Sequence, residues 1–378
     1  MRKVRLLLAM LALTCTCADA GAATPATSAL STNRASSEFG TQAGAAWRID
    51  VPANWNRELV VFYHGYAPTP ITFAANERLS PMFDPFLARG YAVIQSGYSQ
   101  GGWAIEQAQA ETEALRREFV GRHGAPKRTY VTGMSMGGAL TVLTLETRPD
   151  VYAGALSLCG AIGPSNAFLQ RDFALRAAFD YYFPGLLGPL VPVPADYEFD
   201  ERVEAMIAGA FARNPAALHA LLGLYPAADA RSLVPVIAFI TYDVKELQQR
   251  TRGNPFGNAD AIYVGSGDDA ALNDGVKRYR ADAQAAAYIA RWYTPSGKLL
   301  RPLLALHDTG DPLVPASSAF DYALIAERAG HAANFVQQYV NREGHCVFTP
   351  DEIGRAFDEL VDWVKTGKRP ASGKLPAS

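Results

Sequence analysis

The chain has 378 residues, of which 49% are hydrophobic, 19% charged and 11% aromatic, and its formal net charge is −2 at pH 7. These apolar and aromatic fractions are sufficient for a large core and exclude a wholly disordered chain. The nearly neutral charge argues against a nucleic-acid-binding protein that neutralises phosphates. The length allows two or three domains, or one elaborated α/β domain.

The N-terminus has the three regions of a secretory signal peptide. Basic residues come first, an uncharged run from Leu6 to Leu13 follows, and small residues then lead to Ala20, the expected last residue of the removed segment. The apolar run is shorter than the roughly 18–20 residues of a bilayer span, which disfavours a membrane anchor. We therefore expect an exported protein, periplasmic or extracellular, with no membrane span and a formal charge of −4 after loss of three basic residues and one acidic residue.

Cleavage of the signal peptide would remove two of the four cysteines and leave two. Cys15 and Cys17 lie in the signal peptide, and Cys159 and Cys346 remain in the mature protein. So few cysteines in so long a chain exclude a disulfide scaffold. The remaining two could form one bridge in an oxidising compartment, with two unpaired thiols as the alternative.

Short apolar runs alternate with helical patterns from about residue 47 onwards. The runs cover residues 59–63, 91–94, 130–132 and 151–158, and after an interruption 303–306 and 335–340. Each run is typical of a strand buried on both faces, and apolar residues spaced three and four apart over 105–119 predict a helix. The alternation predicts a mostly parallel sheet with helices on both faces.

The break in the strand–helix alternation and the composition of the N-terminal region define the predicted domain boundaries. A signal peptide (residues 1–20) and a flexible lead-in (21–44) precede a catalytic domain made of residues 45–161 and 299–378. Residues 162–298 form an insertion in that domain, and long insertions of this kind are usually lids or binding elements.

Two Gly-x-Ser-x-Gly motifs follow predicted strands, one centred on Ser99 and one on Ser135. In this motif a sharp turn between a strand and a helix exposes the serine hydroxyl, and the glycines let backbones pass closely. Ser135 lies in a complete strand–turn–helix–strand unit, and its helix begins with small residues. Ser99 has bulky neighbours and a long helix and loop before the next strand. We predict Ser135 as the nucleophile and Ser99 as a structural or site-lining turn residue.

A serine nucleophile needs an imidazole to accept its proton and a carboxylate to fix the imidazole, and in chains with this motif the acid precedes the base. Of the six histidines, His345 lies between the last strand and the last helix, where a base is needed. His331 lies at the end of a helix, where a solvated role is expected. The loop after residues 303–306 offers Asp308 and Asp311, and we predict Asp311 as the acid because it follows a glycine turn and precedes a proline.

Acyl transfer also needs hydrogen-bond donors for the oxyanion. We expect the backbone N–H groups of Met136, directly after the nucleophile, and of Tyr66, in the loop after the first apolar run. His64 is interpreted as a residue that fixes this loop rather than as a base. The sequence shows no metal-ligand cluster and no phosphate-binding glycine loop, so no metal or cofactor is expected.

With its early His-Gly loop, its serine motif, its Asp311 loop and its final His345 loop, the chain resembles the α/β-hydrolase superfamily over roughly residues 45–161 and 299–366. The resemblance implies the α/β-hydrolase fold with a large helical cap insertion. Within the superfamily the chain is most similar to secreted serine carboxylesterases.

Cys346, directly after the predicted base, resembles a cysteine of tannases and feruloyl esterases, in which a disulfide ties the nucleophile loop to the histidine loop. That family places its other cysteine directly before the serine, where this sequence has Met134. Here Cys159 ends the strand after the nucleophile helix, at the same sheet edge. The resemblance therefore implies a Cys159–Cys346 bridge that anchors the His345 loop, and two unpaired thiols remain the alternative.

The predicted function is a secreted serine esterase that cleaves a small-molecule or polymeric ester through an acyl-enzyme intermediate. Aromatic residues at 181–183, with Trp103 near the site, favour a hydrophobic or aryl ester. One alternative is a prolyl-oligopeptidase-like peptidase. Such a peptidase needs an acidic pair to bind the peptide amine, and Asp268 and Asp269 could supply it. The other is a catalytically silent binding protein, which would need neither the serine, the acid nor the histidine.

Overall fold

The computed structural model describes residues 36–75 and 77–376, and nine strands in this part of the chain form one sheet. The strands are β1 Ser37–Gln42, β2 Ala45–Asp50, β3 Leu59–Tyr63, β4 Ala92–Ser96, β5 Thr129–Met134, β6 Gly154–Leu158, β7 Leu303–Gly310, β8 Phe335–Glu343 and β9 Gly373–Lys374. Their order in the sheet is β1-β2-β4-β3-β5-β6-β7-β8-β9. The β1–β2 and β2–β4 pairs are antiparallel, and the other neighbours are parallel. The prediction of a mostly parallel sheet is confirmed.

Helices cover both faces of this sheet. They are α1 Asp84–Ala88, α2 Ile105–His123, α3 Met136–Thr147, α4 Ser165–Tyr182, α5 Glu201–Arg213, α6 Pro215–Leu224, α7 Leu233–Thr251, α8 Asp269–Gly275, α9 Ala283–Tyr293, α10 Ser317–Arg328 and α11 Pro350–Thr366, with 3-10 turns at Pro81–Phe83 and Ala332–Asn334. Within the described residues, none of the helices combines the length and the apolar character needed to cross a membrane.

The central strand β3 shows why the apolar runs are continuous. Its residues Leu59, Val61 and Tyr63 join an apolar cluster with α2 and α3, whereas Val60 and Phe62 join a second cluster with α1 and α11. Successive side chains of a strand point to opposite faces, so a strand covered on both faces must be apolar at every position.

The structure corrects the prediction for part of the flexible lead-in. Within the predicted segment 21–44, residues 37–42 form the edge strand β1, which pairs with β2. Ala43 and Gly44 both have positive φ angles and turn the chain back into this pairing. Residues 1–35, which include the predicted signal peptide, lie outside the described residues.

The helices α4 to α9 lie between β6 and β7 in the chain, within residues 162–298, which we call the helical insertion. Helix α7 contacts α4, α5 and α9, and α9 also contacts α2 beside the sheet. The insertion and the sheet are parts of one compact unit. The role of the insertion as a lid stays a prediction.

The apolar layer under α11 should carry much of the stability. Phe357 is fully buried, and its ring lies 4.8 Å from Phe86, 5.0 Å from Tyr91 and 5.4 Å from Tyr130 between centroids. We expect Phe357→Ala to lower the free energy of unfolding by about 3–5 kcal/mol, because the lost contacts leave a cavity. Urea denaturation measures this change. The matched control Phe320→Ala removes a ring that is 59% exposed and should change stability by no more than about 0.5 kcal/mol.

Candidate active site

Ser135 occupies a strained turn between β5 and α3. Its φ of 58° and ψ of −120° are unusual for a residue with a side chain. A Cβ atom at Gly133 would collide with the Gly137 carbonyl, and one at Gly137 would collide with the Tyr63 carbonyl. The two glycines therefore let α3 start directly against β3 and β5, and the turn holds the serine side chain at the carboxyl edge of the sheet.

His345 links Ser135 to Asp311 by two hydrogen bonds. Its Nδ1 lies 2.7 Å from Asp311 Oδ2, and its Nε2 lies 2.8 Å from Ser135 Oγ. An ionised carboxylate only accepts hydrogen bonds, so Nδ1 carries the proton and Nε2 is left to accept from the serine hydroxyl. The structure brings together the three residues that the sequence predicts.

Asp311 is held in an orientation that suits its hydrogen bond to His345. It is buried, and its Oδ1 accepts hydrogen bonds from the backbone N–H groups of Leu313 and Val314, both at 2.9 Å. Burial by itself would raise the pKa of Asp311, but the imidazoles of His307 and His345 beside its carboxylate hold this pKa below its usual value. The carboxylate therefore stays ionised beside the imidazole.

The second acid of this loop, Asp308, has a different place. Its Oδ2 accepts a hydrogen bond from the Val347 backbone N–H at 3.1 Å, and burial raises the pKa of Asp308 to about 6. Asp308 thus ties the end of β7 to the loop that carries His345, whereas Asp311 contacts His345 directly.

The two expected oxyanion donors lie beside the serine. A Cβ atom at Gly65 would stand 3.3 Å from Ser135 Cβ, so the loop with Tyr66 passes next to Ser135. Met136 is the first residue of α3, where N–H groups lack helical acceptors. Within the described part of the chain, neither the Tyr66 nor the Met136 amide donates a hydrogen bond.

His64 has the geometry of a loop-fixing residue. Its Nδ1 lies 2.6 Å from the Gly65 carbonyl, to which it donates, and its ring stacks on Tyr98 at 3.8 Å between centroids. Burial lowers the pKa of His64 to about 4, so the ring is neutral at pH 7. Ser99, the other serine candidate, bonds through its hydroxyl and its backbone N–H to Glu111, as expected of a turn residue.

A disulfide joins Cys159, directly after β6, to Cys346, directly after the histidine, with their Cα atoms 5.3 Å apart. Cys346 Sγ lies 3.4 Å from His345 Nε2. Among the described residues, these two cysteines and His345 are close enough together to be considered as metal ligands. Both sulfurs are in the disulfide, however, so this group offers no thiolate to a metal.

Aromatic rings from two parts of the chain surround the Tyr66 side chain. Its ring centroid lies 5.2 Å from Phe239 of α7 and 6.1 Å from Trp103. The aromatic run at 181–183 packs within the helical insertion instead, where Phe183 contacts Phe211. Phe239 was not singled out by the sequence, because a helical apolar pattern shows that a face is buried but not which loop it covers.

The positions of the three residues in the sheet decide the fold. Ser135, Asp311 and His345 follow the parallel strands β5, β7 and β8, with the Gly-x-Ser-x-Gly turn leading into a helix. That order of serine, acid and base on such a sheet is characteristic of one architecture. The chain has the α/β-hydrolase fold. The predicted fold class is confirmed.

Comparison with known proteins gives distant similarities to this α/β-hydrolase chain. No protein-family model matches it. The o-phthalyl amidase of Xanthobacter agilis is 22% identical over 404 aligned positions, which cover 87% of each chain. The Pyrococcus horikoshii acylaminoacyl peptidase is 11% identical, with a TM-score of 0.48 over 89% of this chain and 42% of that chain. An esterase/lipase from an uncultured bacterium is 13% identical, with a TM-score of 0.46 over 88% and 86% of the two chains.

The chain thus spans less than half the length of the Pyrococcus peptidase. These similar proteins are an amidase, a peptidase and an esterase/lipase, and their sequences are too different to define the substrate of this chain. The likeness to tannases and feruloyl esterases stays a prediction.

The disulfide should support both stability and turnover. We expect the Cys159→Ser/Cys346→Ser variant to lose about 2–4 kcal/mol of unfolding free energy in denaturant titrations, because the unfolded chain is no longer cross-linked. Its turnover should also fall, since the His345 loop loses a covalent tie. In a chain that starts after Ala20, thiol titration of the unreduced protein should find no free thiol. Two titratable thiols would contradict the bridge.

Proposed function

We propose that this chain is an exported serine hydrolase that cleaves carboxylic esters through an acyl-enzyme intermediate. The hydrogen-bonded series of Ser135, His345 and Asp311 at the strained turn carries the proposal. Ser135 Oγ attacks the ester carbonyl carbon while His345 Nε2 takes its proton. His345 then gives this proton to the departing alcohol oxygen as the carbon–oxygen bond breaks, which leaves the acyl group on Ser135.

Hydrolysis of the acyl-enzyme completes the cycle. His345 takes a proton from water, whose oxygen attacks the acyl carbon, and returns it to Ser135 Oγ as the acid is released. In both steps the amides of Tyr66 and Met136 donate to the oxyanion, and Asp311 stabilises the imidazolium. Because these donors have no protein acceptor in the described part of the chain, they are available without rearrangement.

Two further observations support the location and the substrate class. The disulfide belongs to the chemistry of oxidising compartments and is consistent with export after cleavage of residues 1–20. The rings of Tyr66, Trp103 and Phe239, in and beside the loop that follows β3, favour a hydrophobic or aryl group in the substrate. We also propose that the helical insertion is the lid of the site.

Amide cleavage is the second candidate function, because the Xanthobacter relative is an amidase. The peptidase form of this candidate would need Asp268 and Asp269 to bind a peptide amine. Asp268 instead caps α8 by accepting from Ala271 N–H, and Asp269 accepts from the backbone and hydroxyl of Ser266. Local hydrogen bonds therefore account for both carboxylates, which favours the ester hydrolase over the peptidase.

Serine substitution tests the nucleophile. We expect Ser135→Ala to lower kcat for p-nitrophenyl esters by about 10⁴-fold or more, because the variant lacks the hydroxyl that forms the acyl-enzyme. Ser99→Ala, the matched control in the other motif, should keep most of the activity. Loss of activity in Ser99→Ala alone would overturn the assignment. Turnover of aminoacyl anilides or phthalyl amides without ester turnover would favour the amidase.

Asparagine substitutions of Asp311 and Asp308 test which of the two acids orients His345. Asp311→Asn should lower kcat by about 10⁴-fold, because an amide no longer fixes the required tautomer of His345. Asp308→Asn keeps an oxygen that accepts from Val347 N–H, so its kcat should fall by less than about tenfold. Steady-state kinetics on the same ester compares them, and equal losses would argue against Asp311 as the acid.

A further inference from the structure

The loop with the Tyr66 amide rests on the segment that contains the second Gly-x-Ser-x-Gly motif. We call residues 64–71 the oxyanion loop and residues 97–103 the support segment. Hydrogen bonds to backbone carbonyls connect them: Gly102 N–H to Ala67 O at 2.7 Å, Ile71 N–H to Gly97 O at 2.9 Å and Tyr98 Oη–H to His64 O at 3.3 Å. The oxyanion loop is therefore bound to the support segment at its start, its middle and its end.

The glycines of this second motif are explained by the same contact. A Cβ atom at Gly97 would collide with the Ile71 carbonyl, and one at Gly101 would collide with the Pro68 carbonyl. These glycines allow the support segment to lie against the oxyanion loop, so the motif has a structural reason that does not involve Ser99 as a nucleophile.

Helix α7 of the helical insertion also binds the support segment. Three side chains lie in a row on one face of α7, spaced three and four residues apart: Asp243, Glu246 and Arg250. We call them the row on α7. Their contacts with the segment are Trp103 Nε1–H to Asp243 Oδ1, Trp103 N–H to Glu246 Oε2 at 3.2 Å and Arg250 Nη2–H to Gly101 O at 2.8 Å. Arg250 also pairs with Glu246 at 2.7 Å, which joins the last two residues of the row.

Burial makes these contacts strong and specific. Asp243 is 2% exposed, and the side chains of Arg250 and Glu246 are 10% and 16% exposed. The Arg250–Glu246 ion pair is only weakly screened in such surroundings, and removal of one partner leaves the other buried without compensation. Burial raises the pKa of Asp243 well above its usual value, so this carboxyl group favours its neutral form and contacts Trp103 through a neutral hydrogen bond. The row is therefore a stiff connection between the insertion and the support segment.

We propose that Asp243, Glu246 and Arg250 are positioning residues for the oxyanion hole, an inference that rests on the proposed serine hydrolase function. Helix α7 fixes the support segment, and the support segment fixes the Tyr66 amide beside Ser135. Phe239 of the same helix packs on the Tyr66 ring and forms a second, apolar connection. The helical insertion thus contributes to the rate of the chemical step and not only to covering the substrate.

A kinetic comparison separates this role from simple support of the fold. A displacement of about 1 Å in a catalytic group can cost about 100-fold in rate. Arg250→Met should therefore lower kcat by about 10- to 100-fold and change KM by less than about threefold. Arg250→Lys keeps a cation for Glu246 and should recover part of the lost kcat.

The matched control is Lys245→Met on the same helix. Lys245 is also buried, but its ammonium donates to the Tyr197 carbonyl within the helical insertion. This variant should lose stability in urea titrations while kcat stays within about twofold of the wild type. Equal kcat losses in Arg250→Met and Lys245→Met would overturn the proposal, and so would a rise in KM with kcat unchanged.

Hydrogen exchange supplies a measurement that does not depend on catalysis. Amides of residues 64–71 should exchange faster in Arg250→Met than in the wild type or Lys245→Met, and unchanged exchange would overturn the proposed connection. If the wild-type protein shows no hydrolysis that depends on Ser135, the proposed function is refuted. The hydrogen-exchange result would then decide by itself whether α7 is connected to the oxyanion loop.

If Arg250→Met does not fold, Glu246→Gln keeps an acceptor for Trp103 and removes the charge that pairs with Arg250. It should lower kcat by about three- to tenfold, and an unchanged kcat would again overturn the proposal.

Discussion

The close approach of backbones around the Ser135 turn is the constraint on which the site depends. α3 can begin against β3 only because Gly133 and Gly137 have no side chains to separate the chains. That packing places the serine at the edge where β3 also ends, so the loop after β3 must pass beside Ser135. The position of the expected oxyanion donors is therefore a consequence of the same packing that strains the serine backbone.

The rest of the site is assembled from loops that are distant in sequence. Ser135 and His345 are 210 residues apart, and nothing local brings them together. Parallel strands do so by ending at one edge, and then short-range bonds fix the details: backbone amides orient Asp311, Asp308 holds Val347, and the disulfide holds Cys346. Several independent bonds fix the His345 loop, which suits a base that must keep one orientation.

The sequence was sufficient for the parallel core and for the residues around Ser135, because both follow from local rules. A strand buried on both faces must be apolar throughout, as β3 is, and a tight strand-to-helix turn must have glycines. The edge strand β1 was missed because its residues are largely polar and its pairing depends on a turn at Ala43 and Gly44. The row on α7 could not be found either, since helical periodicity does not say which distant loop a charged residue meets.

The disulfide has a topological consequence. The residues it joins are separated by 187 positions, and the whole helical insertion lies inside the covalent ring that they close. A protease that cut any exposed loop of the insertion would therefore produce two fragments that remain one molecule, with the nucleophile on one fragment and the acid and base on the other. In an exported protein, this ring would keep both halves of the site together after such a cut.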